Sequence, residues 1–341
     1  MKKLFIKNSE SEKKWNAFKK RKPAIISAYF ILIACFFSFT AEFWANSKPI
    51  LLKYKGEFYF PIFKTYQADD LKLENTMSID YRDLKLETDD IIIWPIIPWD
   101  PYESNKKVDS YPSAPSSINL MGTDDRGRDV LARLLYGLRY SIIYSIFVWL
   151  ITFLIGVVLG GLQGYLGGRT DLYGQRMTEV LSTVPQLLLL IIIISVFQPS
   201  MFLLIFITSL FGWIPISYYM RAEFLKNRKR EYVEAAKSLG ASHFRIFFKH
   251  ILPNSLGPII TFSPFAIAAN ITSLASLDYL GFGLTPPIPS WGELLAQAQN
   301  NFTIGWWLAL YPSLALFFTL TMFSLVGEGV RDAMDPHKVN L

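Results

Sequence analysis

Groups that carry catalytic and redox chemistry are scarce in this chain of 341 residues, which has one cysteine and three histidines. Cys35 has no second cysteine to pair with, so an intrachain disulfide and a cysteine metal site are excluded. His243, His250 and His337 lie in polar segments, whereas an intramembrane serine protease needs a basic partner at membrane depth. No glycine is followed by lysine, so the phosphate-binding loop of a nucleotide hydrolase is missing. The sequence predicts no enzyme.

Apolar residues make up 51% of the chain and occur in long blocks, with a mean hydropathy of +0.27. This composition is typical of membrane proteins. Six blocks exceed the ~20 residues that a helix needs to cross ~30 Å of hydrocarbon. They are residues 23–44, 140–163, 177–198, 200–220, 256–277 and 305–327. Because open sheets and bare loops leave backbone groups unpaired in lipid, the sequence predicts an all-α membrane protein with six transmembrane helices.

Ionisable side chains are missing from the central portions of these six spans. A transporter driven by protons or sodium usually has such a residue deep in the membrane. The pattern therefore disfavours a secondary transporter. That class, together with a channel subunit acting without ATPases, is the alternative to the function considered below.

The distribution of basic residues predicts the orientation of the chain. Nine lysines and arginines precede the first span and eight lie in residues 221–253, whereas residues 278–304 contain none. Because basic residues concentrate in cytoplasmic loops, both termini and residues 221–253 are predicted to be cytoplasmic. The net charge of +6 follows from this arrangement, which suits anionic lipid headgroups and gives no support for a nucleic-acid partner.

The spans and charges divide the chain into five predicted regions. These are a cytoplasmic segment 1–22, a first helix 23–44, an outer loop region 45–139, a five-helix transport core 140–330 and a cytoplasmic tail 331–341. The outer region is predicted to contain a strand or hairpin near residues 50–66, without a core large enough to fold alone.

The polar segment 221–253 is predicted to form two helices joined at Gly240, which ends the first in a left-handed conformation. Ser242 is placed to cap the second helix and Pro253 to stop it. One apolar face is predicted on the second helix, formed by Phe244, Phe247, Phe248 and Ile251. The first helix ends in small residues, so a partner could approach its backbone closely.

This segment resembles the "EAA" loop of ATP-binding-cassette importer permeases, which enters a cleft of the ATPase subunit as a coupling helix. The resemblance is carried by Glu234, Ala235, Ala236, Gly240, Leu252 and Pro253. It implies that these residues couple the chain to an ATPase. His250 stands where the general family pattern has isoleucine, although the run His250–Asn254 is typical of the dipeptide and oligopeptide branch.

A second block resembles the motif that precedes the second span of dipeptide and oligopeptide permeases, on the outer face near the docking site of the solute-binding protein. Its residues are Gly122, Thr123, Asp124, Gly127, Arg128 and Asp129. Thr123 or Asp124 is predicted to cap a helix over residues 130–139. A calcium-binding loop beginning at Asp124 would need glutamate where Leu135 stands, so no metal site is predicted.

Two further groups of residues complete the pattern. Glycines at four-residue intervals predict a close helix-packing face, formed by Gly156, Gly160 and Gly164. A loop rich in glycine and proline, followed by a short helix from Trp291 to about residue 300, resembles the family's outer segment beside the translocation path. The residues that match are Asp278, Gly281, Gly283, Trp291 and Gly292.

Together these motifs identify the chain as a member of the dipeptide, oligopeptide and nickel importer permeases. They are most similar to the second permease of the microcin C and oligopeptide subgroup. The resemblance implies the type I importer permease fold in a bacterial inner membrane. It also implies a second homologous permease, two ATPase subunits that bind ATP and magnesium, and an outer solute-binding protein. No cofactor is expected in this chain itself. Peptides are the expected substrate, with nickel or another small solute as the second choice.

Overall fold

The computed structural model describes residues 9–71, 73, 79–84 and 86–335. The expectations for residues 1–8, for His337 and for the rest of residues 336–341 lie outside them. Contacts between residues divide the chain into two compact units. The inner unit takes in the described parts of Met1–Ile31, Ile142–Leu274 and Phe318–Leu341. The outer unit consists of the described parts of Leu32–Ser141 and Ala275–Phe317.

Helices form most of the described chain. The first three are α1 (Ser9–Lys20), α2 (Lys22–Phe39) and α3 (Ala41–Trp44). Three short strands follow, β1 (Leu51–Tyr54), β2 (Glu57–Tyr59) and β3 (Ile91–Ile93), with a 3-10 turn at Ala68–Leu71. Next come α4 (Val130–Leu166), α5 (Gly168–Ser182), α6 (Gln186–Val196), α7 (Met201–Gly212) and α8 (Ile214–Asn227). The remaining helices are α9 (Glu231–Ser238), α10 (His243–Arg245), the π-helical segment Ile246–Ile251, α11 (Leu252–Ser255), α12 (Gly257–Tyr279), α13 (Trp291–Asn300) and α14 (Trp306–Met334).

Five stretches of helix in the described chain are long and apolar enough to cross a membrane. They are α2, α4, the run Met201–Asn227 formed by α7 and α8, α12 and α14. The pair α5 and α6 passes the same test together but is bent by 67°, so it adds a sixth span if it crosses as one. The bend lies at Pro185, whose ring removes a backbone donor from the helix. The prediction of a helical membrane protein is confirmed.

The second long helix differs from its prediction. α4 has 37 residues and runs unbroken through residues 139 and 140, where the sequence predicts a change from a loop helix to a span. At 1.5 Å per residue it is about 55 Å long, well beyond the ~30 Å of hydrocarbon. The predicted caps Thr123 and Asp124 are also wrong. The Asp129 carboxylate accepts the backbone N–H of Ala132 at 2.8 Å and so caps the helix.

The core of the inner unit joins α4, α8 and the polar segment after α8. Eight buried side chains form it, namely Val157, Met220, Phe224, Val233, Ile246, Phe247, Ile251 and Ile259. Residues near the two ends of the described sequence are also joined, because Arg21 donates to the carboxylate of Glu328 at 2.6 Å and to that of Asp332. These ion pairs attach the start of α2 to the end of α14.

Glycines let α4 approach the backbone of α8 within this unit. A Cβ atom added at Gly156 would lie 2.8 Å from the Trp213 carbonyl oxygen, and one at Gly160 would lie 2.7 Å from the Cα of Ser217. One at Gly164 would meet the Arg221 carbonyl oxygen. The stripe of glycines therefore faces a helix of the same chain, and there is no room between the two helices for a larger residue.

The outer unit contains a three-stranded antiparallel sheet in the order β2-β1-β3. The hairpin predicted near residues 50–66 is confirmed as β1 and β2. The third strand, β3, was not predicted. Because of this sheet, the prediction of an all-α fold is wrong for the outer unit. One face of the sheet packs on its own cluster of buried side chains, Leu52, Tyr54, Tyr59, Leu71 and Tyr81. A second cluster joins α3 to the start of α4 through Ala41, Ala45, Ile97, Trp99, Ala132 and Tyr136.

We predict that Gly160→Ala destabilises the chain by about 1–3 kcal/mol, since the added carbon must push two backbones apart. The measurement is thermal unfolding of the purified chain in detergent. Gly257→Ala is the matched control, because the nearest atom to its added carbon is Met334 Cε at 3.8 Å, an ordinary contact. Equal unfolding temperatures for the two variants would contradict the close-packing interpretation.

Candidate functional site

The segment between α8 and α12, residues 228–256, forms a compact structure that we call the elbow. Its first helix, α9, ends at Gly240, which has a φ of 75°. The Gly240 N–H donates to the Lys237 carbonyl at 2.9 Å, and the Ala241 N–H to the Ala236 carbonyl at 3.0 Å. These two bonds are the glycine-terminated helix end that the sequence predicts. The predicted cap at Ser242 is also confirmed, because its hydroxyl accepts the Arg245 N–H at 3.3 Å.

The second half of the elbow differs from its prediction because it is not one regular helix. Residues Ile246–Ile251 are π-helical, and the wider turn changes which side chains face the core. Ile246, Phe247 and Ile251 are buried, whereas Phe244 and Phe248 are exposed. The predicted apolar side chains do lie together, since the ring centroids of Phe244 and Phe248 are 4.5 Å apart and those of Phe247 and Phe248 are 4.8 Å apart, but only part of this face is buried. The prediction that Pro253 stops the helix is wrong. Pro253 lies in the first turn of α11, where a backbone N–H would have no partner within the helix.

Polar contacts hold the base of the elbow closed. The side-chain amide of Asn227, at the end of α8, donates to the Ser255 hydroxyl at 2.9 Å, joining the two ends of the segment. Arg228 donates to the carbonyl of Gly164 at 3.0 Å, and the Tyr165 hydroxyl lies 2.7 Å from His243 Nδ1. The elbow is thus attached to the end of α4 as well as to itself.

The turn between the two halves of the elbow, which we call its tip, has exposed apolar side chains. Leu239 is 88% exposed and Phe244 is 73% exposed, on either side of Gly240. Of the remaining residues predicted for ATPase coupling, Glu234, Ala235 and Pro253 are exposed, Leu252 is half-buried and Ala236 is buried. These two large apolar side chains make the tip a candidate interaction surface.

A cavity of about 540 Å³ lies in the inner unit between α4, α6, α7, α8 and α12. Its apolar walls include Trp149, Ile216, Phe262 and Phe265. Its polar groups are uncharged amides and hydroxyls, contributed by Thr152, Gln186, Thr208, Tyr219, Ser263, Asn270 and Ser273. No ionisable Asp, Glu, Lys, Arg or His is among the described residues that line it.

In the outer unit, the two predicted outer motifs are joined by a buried cluster of charges. The Arg128 guanidinium pairs with Asp124 at 2.7 Å and with Glu293 at 3.1 Å. Arg133, which is fully buried, also pairs with Glu293 and lies 3.4 Å from Asp124. It donates in addition to the carbonyl of Pro101 at 2.9 Å. Two arginines and two carboxylates therefore hold together parts of the chain that lie far apart in sequence.

Burial and neighbouring charges shift the pKa values of this motif. Burial lowers the pKa of the Arg128 guanidinium, but the carboxylates of Asp124 and Glu293 outweigh it and hold the pKa above its ordinary value. Burial also raises the pKa of the Asp129 carboxyl, partly offset by hydrogen bonds from Asn119 and from the first turn of α4. Asp129 accepts the Asn119 amide at 2.9 Å. The carboxylates of Asp124, Asp129 and Glu293 therefore have partners within the chain.

The glycines of the first outer motif are in close contact with aromatic rings. Gly122 and Gly127 have φ values of 76° and 78°, a region that favours glycine. A Cβ atom at Gly122 would lie 2.8 Å from the Trp307 indole nitrogen, and one at Gly127 would meet the ring of Tyr111. The same indole N–H donates to the Thr123 carbonyl at 3.0 Å.

The loop after α12 folds around Asp278. Its carboxylate accepts the backbone N–H of Leu284 at 2.6 Å and the hydroxyl of Ser290. Gly283 and Gly292 lie so close to Asp278 that an added Cβ atom would touch it, and Gly281 has a φ of 81°. Of the five residues predicted here, Gly283 and Gly292 therefore pack against the buried Asp278, and Trp291 begins α13.

Trp291 also joins the loop to α4. Its indole N–H donates to the Leu134 carbonyl at 2.9 Å. A Cβ atom at Gly137 would lie 2.8 Å from the Trp291 ring. The predicted short helix after the loop is confirmed as Trp291–Asn300.

Sequence reasoning missed the partners that hold these segments in place. Arg133 lies one turn into α4 and gave no signal beyond a charge near an apolar block. Asp171 pairs with Arg221 through two hydrogen bonds of 2.5 and 2.8 Å, an intrachain pair between α5 and α8. Among the described residues, no group of three or more His, Cys, Asp or Glu side chains is placed to hold a metal ion.

We predict that Glu293→Gln destabilises the chain by about 3–5 kcal/mol, because it leaves two buried arginines facing one carboxylate. The measurement is thermal unfolding in detergent. Glu179→Gln is the matched control. Its carboxylate pairs with Arg176 at 2.7 Å on an exposed surface, and loss of that pair should cost less than about 1 kcal/mol. If Glu293→Gln lowers the unfolding temperature no more than Glu179→Gln does, the buried cluster contributes little to stability.

The chain is similar to known proteins of one family. Residues 153–340 match the family described as "Binding-protein-dependent transport system inner membrane component". The chain is 40% identical to the inner membrane ABC transporter permease protein YejE of Escherichia coli K12, over 96% of this chain and 97% of that protein. It is 38% identical to the peptidoglycan transport system permease protein YejE of Agrobacterium fabrum, over 96% and 93%.

A more distant relative matches a smaller share of the chain. The dipeptide transport system permease protein DppC of Haemophilus influenzae is 35% identical, over 71% of this chain and 83% of that protein. The resemblance inferred from the motifs is confirmed, and with it the prediction of a transport component and not an enzyme. The chain belongs to the family of inner-membrane components of binding-protein-dependent transport systems, as an ATP-binding-cassette permease.

Proposed function

We propose that this chain forms half of the translocation pathway of a peptide importer, and that the elbow couples the pathway to separate ATPase subunits. One observation carries the proposal. The elbow has an exposed apolar tip, and its two ends continue into α8 and α12, which form walls of the cavity. A force applied at the tip would therefore act on two sides of the cavity.

The elbow is suited to act as a lever because its base is closed. The bond between Asn227 and Ser255 and the buried side chains Val233, Phe247 and Ile251 connect its two halves. A flexible loop would absorb a displacement, whereas a packed segment transmits it. Movement of α8 and α12 would open the cavity to one side of the membrane or the other, as alternating access requires.

The proposed orientation places both termini and the elbow in the cytoplasm, where ATPase subunits with bound ATP and magnesium would receive the tip. The support is the excess of lysine and arginine before α2 and in residues 221–253. Residues 45–139 and the loop after α12 would then face outward, toward a solute-binding protein. A second, homologous permease would complete the pathway, with all six predicted spans in the membrane.

Peptides are the proposed substrate. Relatives of the chain include proteins named as dipeptide and oligopeptide transport system permeases. The cavity fits such a substrate chemically, because amides and hydroxyls such as Gln186, Asn270 and Ser273 can exchange hydrogen bonds with a peptide backbone without fixing the charge of its side chains. A metal cation such as nickel would find no carboxylate or imidazole ligand among the residues lining the cavity.

We predict that the double substitution Leu239→Ser and Phe244→Ser lowers ATP-dependent peptide uptake by at least about tenfold, equivalent to about 1.4 kcal/mol of lost coupling. Both side chains are exposed, so the unfolding temperature of the chain should not change. Uptake is measured in proteoliposomes together with the amount of ATPase that co-purifies. The matched control is Phe302→Ser, which removes an equally exposed aromatic ring from the outer unit.

Undiminished uptake by the double variant would contradict the coupling role of the tip. Uptake by the permeases reconstituted without ATPases or nucleotide would contradict the importer proposal itself and would favour a secondary transporter or channel.

We also predict that Ser273→Trp blocks the cavity and lowers uptake by at least about tenfold, with the ATPases still bound. The indole would fill space on α12 that faces Trp149 and Tyr219 across the cavity. The matched control is Ile260→Trp on the same helix, since Ile260 is exposed and lies outside the cavity lining. If both variants transport as well as the wild type, the cavity is not part of the pathway.

A further inference from the structure

The sheet of the outer unit has apolar side chains on both of its faces. Leu52, Tyr54 and Tyr59 point into the buried cluster beneath it. Because side chains alternate along a strand, the neighbouring residues point the other way. On that second face, Lys53 lies opposite Phe58 on one side and Ile91 on the other, and Leu51 lies opposite Ile93. Phe60 follows directly after the end of β2.

This second face is exposed. Phe58 is 62% exposed, and Phe60, Ile91 and Ile93 are each about half exposed. In the turn that follows β2, Phe63 is 70% exposed. We call these five residues the aromatic face. An edge-strand surface of this kind would invite aggregation in water, and contiguous exposed apolar groups mark a binding surface.

The aromatic face continues from the end of the first membrane helix. α2 has 18 residues and is about 27 Å long, close to the ~30 Å of a bilayer's hydrocarbon. In the orientation proposed above, on which this inference rests, α3 would therefore lie at the outer membrane–water boundary. Phe43 of α3 is in edge-to-face contact with Phe63, with 5.7 Å between ring centroids. Lys48 Nζ, just after α3, donates to the Thr65 hydroxyl at 3.1 Å. The turn holding Phe63 is therefore at the level of the lipid headgroups.

The residue types on the face fit that level. Aromatic rings are enriched where headgroups meet hydrocarbon, and lysines there extend their ammonium groups to the phosphates. Lys53 lies in the middle of the face and Lys64 next to Phe63, with Lys64 Nζ 5.1 Å from the Tyr66 ring centroid.

We propose that the aromatic face binds the outer surface of the lipid bilayer and anchors the three-stranded sheet to it. Phe63 and Phe60 enter the boundary between headgroups and acyl chains, and the lysines contact lipid phosphates. Phe58 lies about 7 Å farther along the strand direction from Phe60, so it is nearer the water. The anchor would fix the sheet beside the first membrane helix, independently of the substrate that the permease carries.

The test uses the single cysteine of this chain. In a Cys35→Ala background, a nitroxide label is attached at Phe63→Cys, Phe60→Cys or Phe58→Cys. The importer, assembled with its partner subunits, is placed in nanodiscs of phosphatidylethanolamine and phosphatidylglycerol. Collision of each label with oxygen, which concentrates in lipid, is compared with collision with a water-soluble nickel chelate. Asp69→Cys is the matched control, since Asp69 is exposed on the 3-10 turn beneath the opposite face of the sheet.

We expect the ratio of oxygen to nickel collisions to rise in the order Asp69, Phe58, Phe60, Phe63. A ratio at Phe63 and Phe60 equal to that at Asp69 would show a water-exposed face and overturn the proposal. Protection of these labels from both reagents would show that a protein, such as the solute-binding protein or the second permease, covers the face, and would overturn it as well. Because label position is independent of transport, loss of uptake leaves this result interpretable.

Discussion

The close approach of the α4 and α8 backbones is the constraint on which the inner unit depends. At Gly156, Gly160 and Gly164 α4 places no side chain between the two helices, so the end of α8 lies beside the end of α4. Arg228 can then reach the Gly164 carbonyl, and Phe247 can pack over Gly161. In a membrane there is little hydrophobic gain from pressing two apolar helices together, so close van der Waals packing carries this role.

That placement sets what the elbow can do. Its two ends are joined to each other and to α4, while Leu239 and Phe244 remain largely exposed on either side of Gly240. The apolar groups that stabilise the segment are thus separate from those available to a partner. The arrangement lets a partner bind the tip without disturbing the core of eight buried side chains that holds the base.

The outer unit solves a different problem, which is to order a long irregular chain with few regular elements. It does so with buried polar groups. One ion pair joins Arg133 of α4 to Glu293 of α13. A hydrogen bond between Ser290 and Asp278 holds the loop that connects α12 to α13. Such interactions are costly to bury and are directional, so they specify one arrangement where apolar contacts alone would permit several. The cavity of the inner unit, in contrast, is lined by neutral groups.

The sequence by itself determined the features that depend on neighbouring residues. Long apolar blocks, the glycine-terminated helix at Gly240, the cap at Ser242, the hairpin before residue 66 and the helix from Trp291 all follow from local composition. Tertiary structure decided the rest. The π-helical turn after Arg245 places Ile246, Phe247 and Ile251 in the core and leaves Phe244 and Phe248 exposed, a division that the helical spacing of the apolar residues does not predict. Arg128 and Glu293 meet across 165 positions of sequence, and β3 joins the sheet from about forty residues away, because charge pairing and strand pairing select partners in space that the order of residues does not record.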